Sequence, residues 1–251
     1  MRVTATYIGG PTVLIEISGV RFLTDPTFDP AGSSYETPVY TLHKTIDPAL
    51  TPDALEPIDT ILLSHDHHFD NLDRSGRAML PRARRVLVPP EGAKRVGGAS
   101  MSITPWESIE SNGQLEVTGT PARHGPAGGD RGPVTGFLIT EGRSPAVYIS
   151  GDTVWYEGVE EVARRADVRV AFAFMGAARV REVGSAHLTL TAAEGVLLAR
   201  AMPNAVIVPL HYEGWAHFSE GRPEIERAFA SAALSERLRW LPPGQPVAVY
   251  P

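Results

Sequence analysis

Leu62-Leu63-Ser64-His65-Asp66-His67-His68-Phe69-Asp70-Asn71-Leu72-Asp73 sets three histidines and three carboxylates within nine residues, from His65 to Asp73, directly after an apolar run. Ile61, Leu62 and Leu63 read as a strand buried on both faces, because a short branched apolar run bounded by polar signals is the pattern of such a strand. In open sheets covered by helices, ligands bind in the crevice beyond the carboxyl ends of strands, which is where this cluster falls. Imidazole and carboxylate suit zinc, manganese or iron. In a locally extended chain His65 and His67 point the same way and His68 points elsewhere. The competing structural reading makes Asp70 the cap of a helix beginning near Asn71-Leu72, with the histidines solvated.

Three more strand-like runs end in the same chemistry. Gln114 to Thr120 leads to His124, Ala146 to Ser150 leads to Gly151-Asp152-Thr153, and Ala205 to Leu210 leads to His211. A polar residue at a single strand end is ordinarily a turn former. Repetition at four strand ends points to convergence on a metal.

His65-Asp66-His67-His68-Phe69-Asp70, His124, Gly151-Asp152-Thr153 and Pro209-Leu210-His211 resemble the ordered motifs of the metallo-β-lactamase fold hydrolases. The opening Tyr7 to Glu16 and Phe22-Leu23-Thr24-Asp25-Pro26 is similar to the first hairpin of the branch containing ascorbate-phosphate lactonases and N-acyl-phosphatidylethanolamine phospholipases. The resemblance spans residues 3 to about 213. It implies a first metal held by His65, His67 or His68, and His124, and a second drawing on Asp70 and His211, with Asp152 between them. Zinc is the expected ion, manganese or iron the alternatives, and one or two ions would be bound.

One departure touches the site. The family's first motif reads His, any, His, any, Asp, His, whereas this segment is one residue longer and carries Asn71 where the last histidine would fall. Aligned from the left, His67 is the ligand; aligned from the right on Asp70-Asn71-Leu72-Asp73, it is His68. Either way the second metal position has lost an imidazole, although Asn71 could offer a carbonyl oxygen to a harder ion.

A chain of 251 residues, 43% hydrophobic, can bury one large core, and no repeat or linker divides it, so a single domain over 1–251 is expected. Net charge of −6 provides no field for nucleic acid or anionic lipid. Without cysteine, thiolate ligands and disulfides are excluded, which suits a reducing cytoplasm. The start carries no apolar secretory segment, and no apolar stretch approaches the ~18 residues of a membrane span. A small-molecule substrate is the expected partner, and self-association into a homo-oligomer stays open.

Periodicity predicts strands over 3–8, 12–17, 20–24, 85–88, 114–121, 134–140, 145–150, 168–174, 205–210 and 246–250, and helices near 71–80, 91–97, 156–166, 190–202 and 222–233. The 190–202 helix is opened by Thr189 or Thr191 with Glu194. Strands first, then strands alternating with helices, predict a sheet with helices outside; two such halves packed sheet to sheet make the α/β (α+β) fold that the resemblance implies, a four-layer αββα sandwich of two mixed sheets flanked by helices. From Asp25 to Pro57 the pattern dissolves into a proline-rich segment with Phe28, Tyr35, Tyr40 and His43, read either as a pocket wall or as a satellite core. The turn Gly128 to Pro133 follows His124.

Coordination lowers the pKa of water and polarises an oxygen under attack, so the implied activity is hydrolysis of a small ester, lactone or phosphodiester. Asp70 is the candidate proton acceptor. The resembling branch has an active-site histidine in the setting of His187, which would steady an oxyanion or protonate a leaving group. Asp25 is read as orienting a ligand imidazole or as a simple Asp-Pro turn. His217, beyond the last ligand, reads as a surface residue or, with Trp215, as lining the pocket mouth. The alternative function is a non-catalytic metal or ligand binder with a degenerate second site. An RNA-cleaving relative is disfavoured, because no inserted domain fits, and an exported antibiotic lactamase by the missing signal.

Overall fold

Alternation along each strand builds two opposite faces, and the core divides accordingly. On the strand Val168–Phe174, Val170, Phe172 and Phe174 belong to one cluster while Ala171 and Ala173 belong to another. Thr135–Glu141 does the same, with Phe137 and Ile139 on one side and Leu138 on the other. A period of two therefore makes every such strand a partition between two layers.

The computed structural model describes residues 1–129, 131–142 and 144–250. The chain opens with β1 (Val3–Gly9), β2 (Thr12–Ile17) and β3 (Val20–Thr24), passes through a small hairpin of β4 (Ser34–Glu36) and β5 (Thr41–His43), then enters β6 (Thr60–Leu62). Helix α1 (Arg74–Met79), β7 (Arg85–Val88), helix α2 (Pro90–Val96) and β8 (Ser100–Ser102) complete the first half. The second half runs β9 (Ser108–Ser111), β10 (Leu115–Pro121), β11 (Thr135–Glu141), β12 (Ala146–Ile149), α3 (Glu157–Arg165), β13 (Val168–Phe174), α4 (Ala192–Ala201), β14 (Val206–Leu210) and α5 (Arg222–Ser231). The last strand, β15 (Pro246–Tyr250), returns to the first sheet.

Strand order is β15-β1-β2-β3-β6-β7-β8 in one sheet and β14-β13-β12-β11-β10-β9 in the other, each mixing antiparallel and parallel pairs. Val3, Ala5, Val13 and Ile15 of the first sheet meet Val117, Phe137, Val170 and Val208 of the second in the shared interior. Leu72, Met79 and Leu80 cover the outer face of the first sheet, and Val159, Leu198 and Phe229 cover that of the second. This is the four-layer αββα sandwich that the resemblance implies.

Most predicted elements are present within a residue or two. The Ser18-Gly19 turn has φ of 48° and 81° at its two residues, the left-handed pair that matches strand twist in a two-residue hairpin. Thr191 and Glu194 form a reciprocal capping box at the start of α4. Three features differ. The first helix begins at Arg74, and its cap is Asp73, whose side chain accepts from Gly76 N, so Asp70 is free for other work. The segment 25–57 is not pattern-free: it contains the β4–β5 hairpin. Short edge strands β8 and β9 also lie where no strand was predicted.

Candidate metal centre

The carboxyl ends of the strands do converge. β6 leads into Ser64-His65, β10 into His124, β12 into Asp152 and β14 into His211, all buried. The three carboxylates of the first motif separate by function. Asp66 turns outward to the Arg95 guanidinium, with Nε at 2.8 Å. Asp73 caps α1 and accepts from Lys44 Nζ at 3.0 Å. Asp70 alone enters the site.

The structure resolves which histidine joins His65. His68 Nδ1 lies 3.0 Å from His65 Nε2 and 3.2 Å from His124 Nε2. His67 is turned away, with Nε2 2.7 Å from the Arg131 carbonyl. The extended-chain expectation fails because the segment is a turn: the His68 carbonyl accepts from Leu72 N at 3.0 Å, reversing the chain after the motif. Of the two alternatives, the geometry thus brings His68, the alignment from the right, beside His65 and His124, and turns His67 away from them. Gly132 makes room for the displaced ring, since a Cβ there would lie 3.1 Å from His67 Nε2 at a φ of +99°. Asp130, in the same turn, lies outside the described residues.

His65, His68 and His124 form one cluster of donor atoms, all within 4.8 Å of one another, and Asp70, Asp152 and His211 form a second on the same criterion. Asp152 joins them: Oδ2 is 3.6 Å from His124 Nε2 and Oδ1 is 3.5 Å from His211 Nε2. His211 Nε2 is also 3.4 Å from Asp70 Oδ2. The donor set fits divalent cations, because Asp152 Oδ2 and both ring nitrogens of His211 are buried without a hydrogen-bond partner among the described residues. Buried polar atoms aimed at a common point are otherwise costly.

Supporting bonds set the tautomers. His124 Nδ1 donates to the Leu188 carbonyl at 2.8 Å, leaving Nε2 with its lone pair inward. Asp25 acts through Ser64: its Oδ1 accepts from Ser64 N at 2.7 Å and Ser64 Oγ at 2.9 Å, and that hydroxyl sits 2.9 Å from His65 Nδ1. Asp25 thus orients the His65 imidazole at one remove. His211 has φ of 54° and donates its backbone N–H to the Gly10 carbonyl at 2.8 Å, which ties it to the first hairpin.

The electrostatics of the clusters are opposite. Burial, and then the neighbouring His124, push the His68 imidazole down to about 3, and burial and His68 hold His65 well below the ordinary value, so both are neutral lone-pair donors. In the second cluster burial opposes charge on every group, yet Asp152 and Asp70 raise His211 to about 10. Burial likewise resists the charge on Asp70, but His211 and His217 hold its carboxyl well below the usual carboxylate range. Two buried carboxylates call for positive charge between them.

His187 stands apart. Its Nε2 lies 3.1 Å from Glu194 Oε1, and that hydrogen bond raises its imidazole above the ordinary value. The residue beside it, Leu188, reaches the site instead. The expectation that His187 works at the reacting atoms is not supported by its position, because Glu194, reaching back to cap α4, draws the ring toward the helix start. His217 is the reverse case: of its two readings, surface residue or lining of the pocket mouth, the structure has it in the pocket lining, with Nε2 3.1 Å from Asp70 Oδ2 and about a tenth of its side chain exposed. The flanking Trp215 and Phe218 were the sequence signal, since paired large aromatics mark a segment that packs down.

Above the donors is a pocket lined by Tyr40, Leu42, His68, Asp70, His124, Arg131, Val180, Val183, Leu188 and His217, among others. Tyr40 and Leu42 come from the β4–β5 region, which is anchored by Tyr35 stacking on Phe69 at 4.8 Å, so the segment lines the pocket and also forms a satellite core, with Tyr35 and Leu42 clustered against Leu188 and Trp215. Another pocket, lined in part by Trp215, holds none of the clustered donors. No helix among the described residues is long and apolar enough to cross a membrane.

Comparison with known proteins agrees with this geometry. The family described as beta-lactamase superfamily domain matches residues 20–212. The chain is 23% identical to the UPF0173 protein YddR of Bacillus subtilis, covering 91% of this chain and 95% of that one. It is 24% identical to a UPF0173 metal-dependent hydrolase of Hyperthermus butylicus, covering 95% and 96%. Among solved structures it is similar to the isothiocyanate hydrolase from Delia radicum gut bacteria, with a TM-score of 0.86 at 19% identity and 98% of each chain covered. That last likeness is one of fold.

Proposed function

The chain belongs to the beta-lactamase superfamily domain family, and on that premise we propose that it is a metal-dependent hydrolase of a small ester, lactone or phosphodiester. The observation that carries the reading is the pair of buried donor clusters joined through Asp152 at the floor of a cavity. His65, His68 and His124 would hold one ion, with Asp70, Asp152 and His211 around a second; zinc suits the set, and manganese or iron would also fit it. A bound cation would supply water of lowered pKa and polarise the oxygen under attack.

The chain's own groups do the rest. Asp70 faces the cavity as a carboxylate and is the acceptor for a proton released by the attacking water. Burial, and then the charge of Asp70, raise the Tyr40 phenol, so it stays protonated and can donate to an oxygen of the substrate. Arg131 brings a permanent positive charge to the same cavity, suited to a developing oxyanion or a phosphoryl oxygen. Leu42, Val180, Val183 and Leu188 form an apolar wall that favours a compact, partly apolar substrate and limits access of water.

The test is turnover of a panel of activated esters, lactones and phosphodiesters by protein stripped with chelator and then reloaded with zinc, manganese or iron. Turnover that returns on reloading, and falls in Asp70→Asn without loss of fold, is the expected result. A fully loaded protein inert across the panel would instead be a metal-binding module without catalysis.

A further inference from the structure

The second cluster is short of a ligand. Asp70, Asp152 and His211 bring two carboxylates and one imidazole, and Asp152 is shared with the first cluster. The residue at the position where the motif would carry another imidazole is Asn71, which is buried and turned so that Nδ2 lies 3.3 Å from Asp152 Oδ1. Asn71 braces the shared carboxylate, and no imidazole comes from the first motif.

An imidazole arrives from elsewhere. His217 Nε2 lies 3.1 Å from Asp70 Oδ2, and that oxygen is 3.4 Å from His211 Nε2, so two ring nitrogens flank one carboxylate oxygen. Donors bound to one ion at about 2.0–2.2 Å in tetrahedral geometry stand about 3.3–3.6 Å from each other; the two spacings around Asp70 Oδ2 are close to this, while the mutual 4.8 Å group is Asp70, Asp152 and His211, so His217 meets that group through Asp70. Phe218 holds both rings, with its centroid 4.7 Å from His211 and 4.7 Å from His217. Ligation through Nε2 would place the ring proton on His217 Nδ1, which is buried with no hydrogen-bond partner among the described residues.

We propose that His217 is a ligand of the second ion, supplying from the loop after β14 the imidazole that Asn71 does not supply from the first motif. The inference rests on the metal-dependent reading above. It assigns the second ion to Asp70, Asp152, His211 and His217, a closed set of four protein donors, while the first ion keeps its three imidazoles and the far oxygen of Asp152. The competing role for His217 is that of a positioning residue, donating a hydrogen bond to Asp70 without touching an ion.

Zinc counting and a zinc-edge anomalous difference map separate the two roles without any activity measurement. Wild-type protein, stripped and reloaded with zinc chloride, should hold two equivalents, and His217→Ala and His217→Gln should hold one. The map of zinc-loaded wild-type crystals should place the second peak at about 2.0–2.1 Å from His217 Nε2. Introducing Asn71→His into His217→Ala should return the second equivalent. Two equivalents in all three proteins, or a second peak beyond bonding reach of His217, overturns the assignment and leaves it a positioning residue. A single equivalent in wild type, at His65, His68 and His124, overturns the second site but not the metal-dependent reading; no zinc in wild type overturns both. If the variants fail to fold, the wild-type map decides alone.

Discussion

Replacing His68 and His67 separately by alanine tests the centre most directly, because the two are adjacent in sequence and opposite in role. His68 Nδ1 sits 3.0 and 3.2 Å from the two other imidazoles of its cluster, whereas His67 bonds a backbone carbonyl at 2.7 Å. Losing even a group that only supports a ligand costs about 10–100-fold in metal affinity, so losing a ligand itself should cost at least about 100-fold. A factor of about 100 is about 2.7 kcal/mol of binding free energy. When metal binds only the folded state, that free energy appears as lost stabilisation at saturating metal. At about 2–4 °C per kcal/mol for a chain of this size, the zinc-induced rise in Tm should shrink by about 5–11 °C in His68→Ala. His67→Ala loses a hydrogen bond worth about 1 kcal/mol, but loses it with and without zinc, so it cancels from the zinc-induced shift. The assay is thermal unfolding of each protein in chelator and in excess zinc. Equal shifts in both variants, or the larger loss in His67→Ala, would refute the assignment from the turn geometry.

Asp73→Ala should destabilise strongly, because it leaves the Lys44 ammonium, only 5% exposed, without its partner, at about 3–5 kcal/mol, and removes the α1 cap at about 1 kcal/mol more. Urea unfolding checks this, and a loss below about 2 kcal/mol would mean that water reaches Lys44. Gly151→Ala puts a Cβ 2.6 Å from the Thr135 carbonyl oxygen at a φ of +59°, so it should cost at least about 1–2 kcal/mol and weaken zinc binding by moving Asp152; unchanged Tm and zinc affinity would count against that. The His187–Glu194 pair gives a pH effect of defined sign. Since Glu194 raises the folded His187 value, its contribution is complete below about pH 6.5, the unfolded value, and is lost as pH rises through the folded one. His187→Gln should therefore narrow the Tm difference between pH 6 and pH 8.5, with turnover intact because the ring lies outside the pocket; a large fall in turnover would restore His187 to the reaction.

Much of this molecule is legible locally. Strand Val168–Phe174 is bounded by its own alternation, and the Thr191–Glu194 capping box marks the start of α4, because both signals are carried by residues a few positions apart. The placement of His65, His124, Asp152 and His211 is legible for the same reason: each follows the end of an apolar strand, and a sheet aligns such ends. The short edge strands β8 and β9 and the β4–β5 hairpin carry too few residues to show a period. What tertiary structure decided is which neighbours face one another. His67 and His68 differ by one position, and the choice between them is made by a turn closed on Leu72 N and by the Arg131 carbonyl, 64 residues away. His217 meets Asp70 across 147 residues because the loop after β14 folds back under Trp215 and Phe218. No periodicity encodes that approach, since it depends on two loops from opposite sheets being packed into contact, and only the assembled sandwich does so.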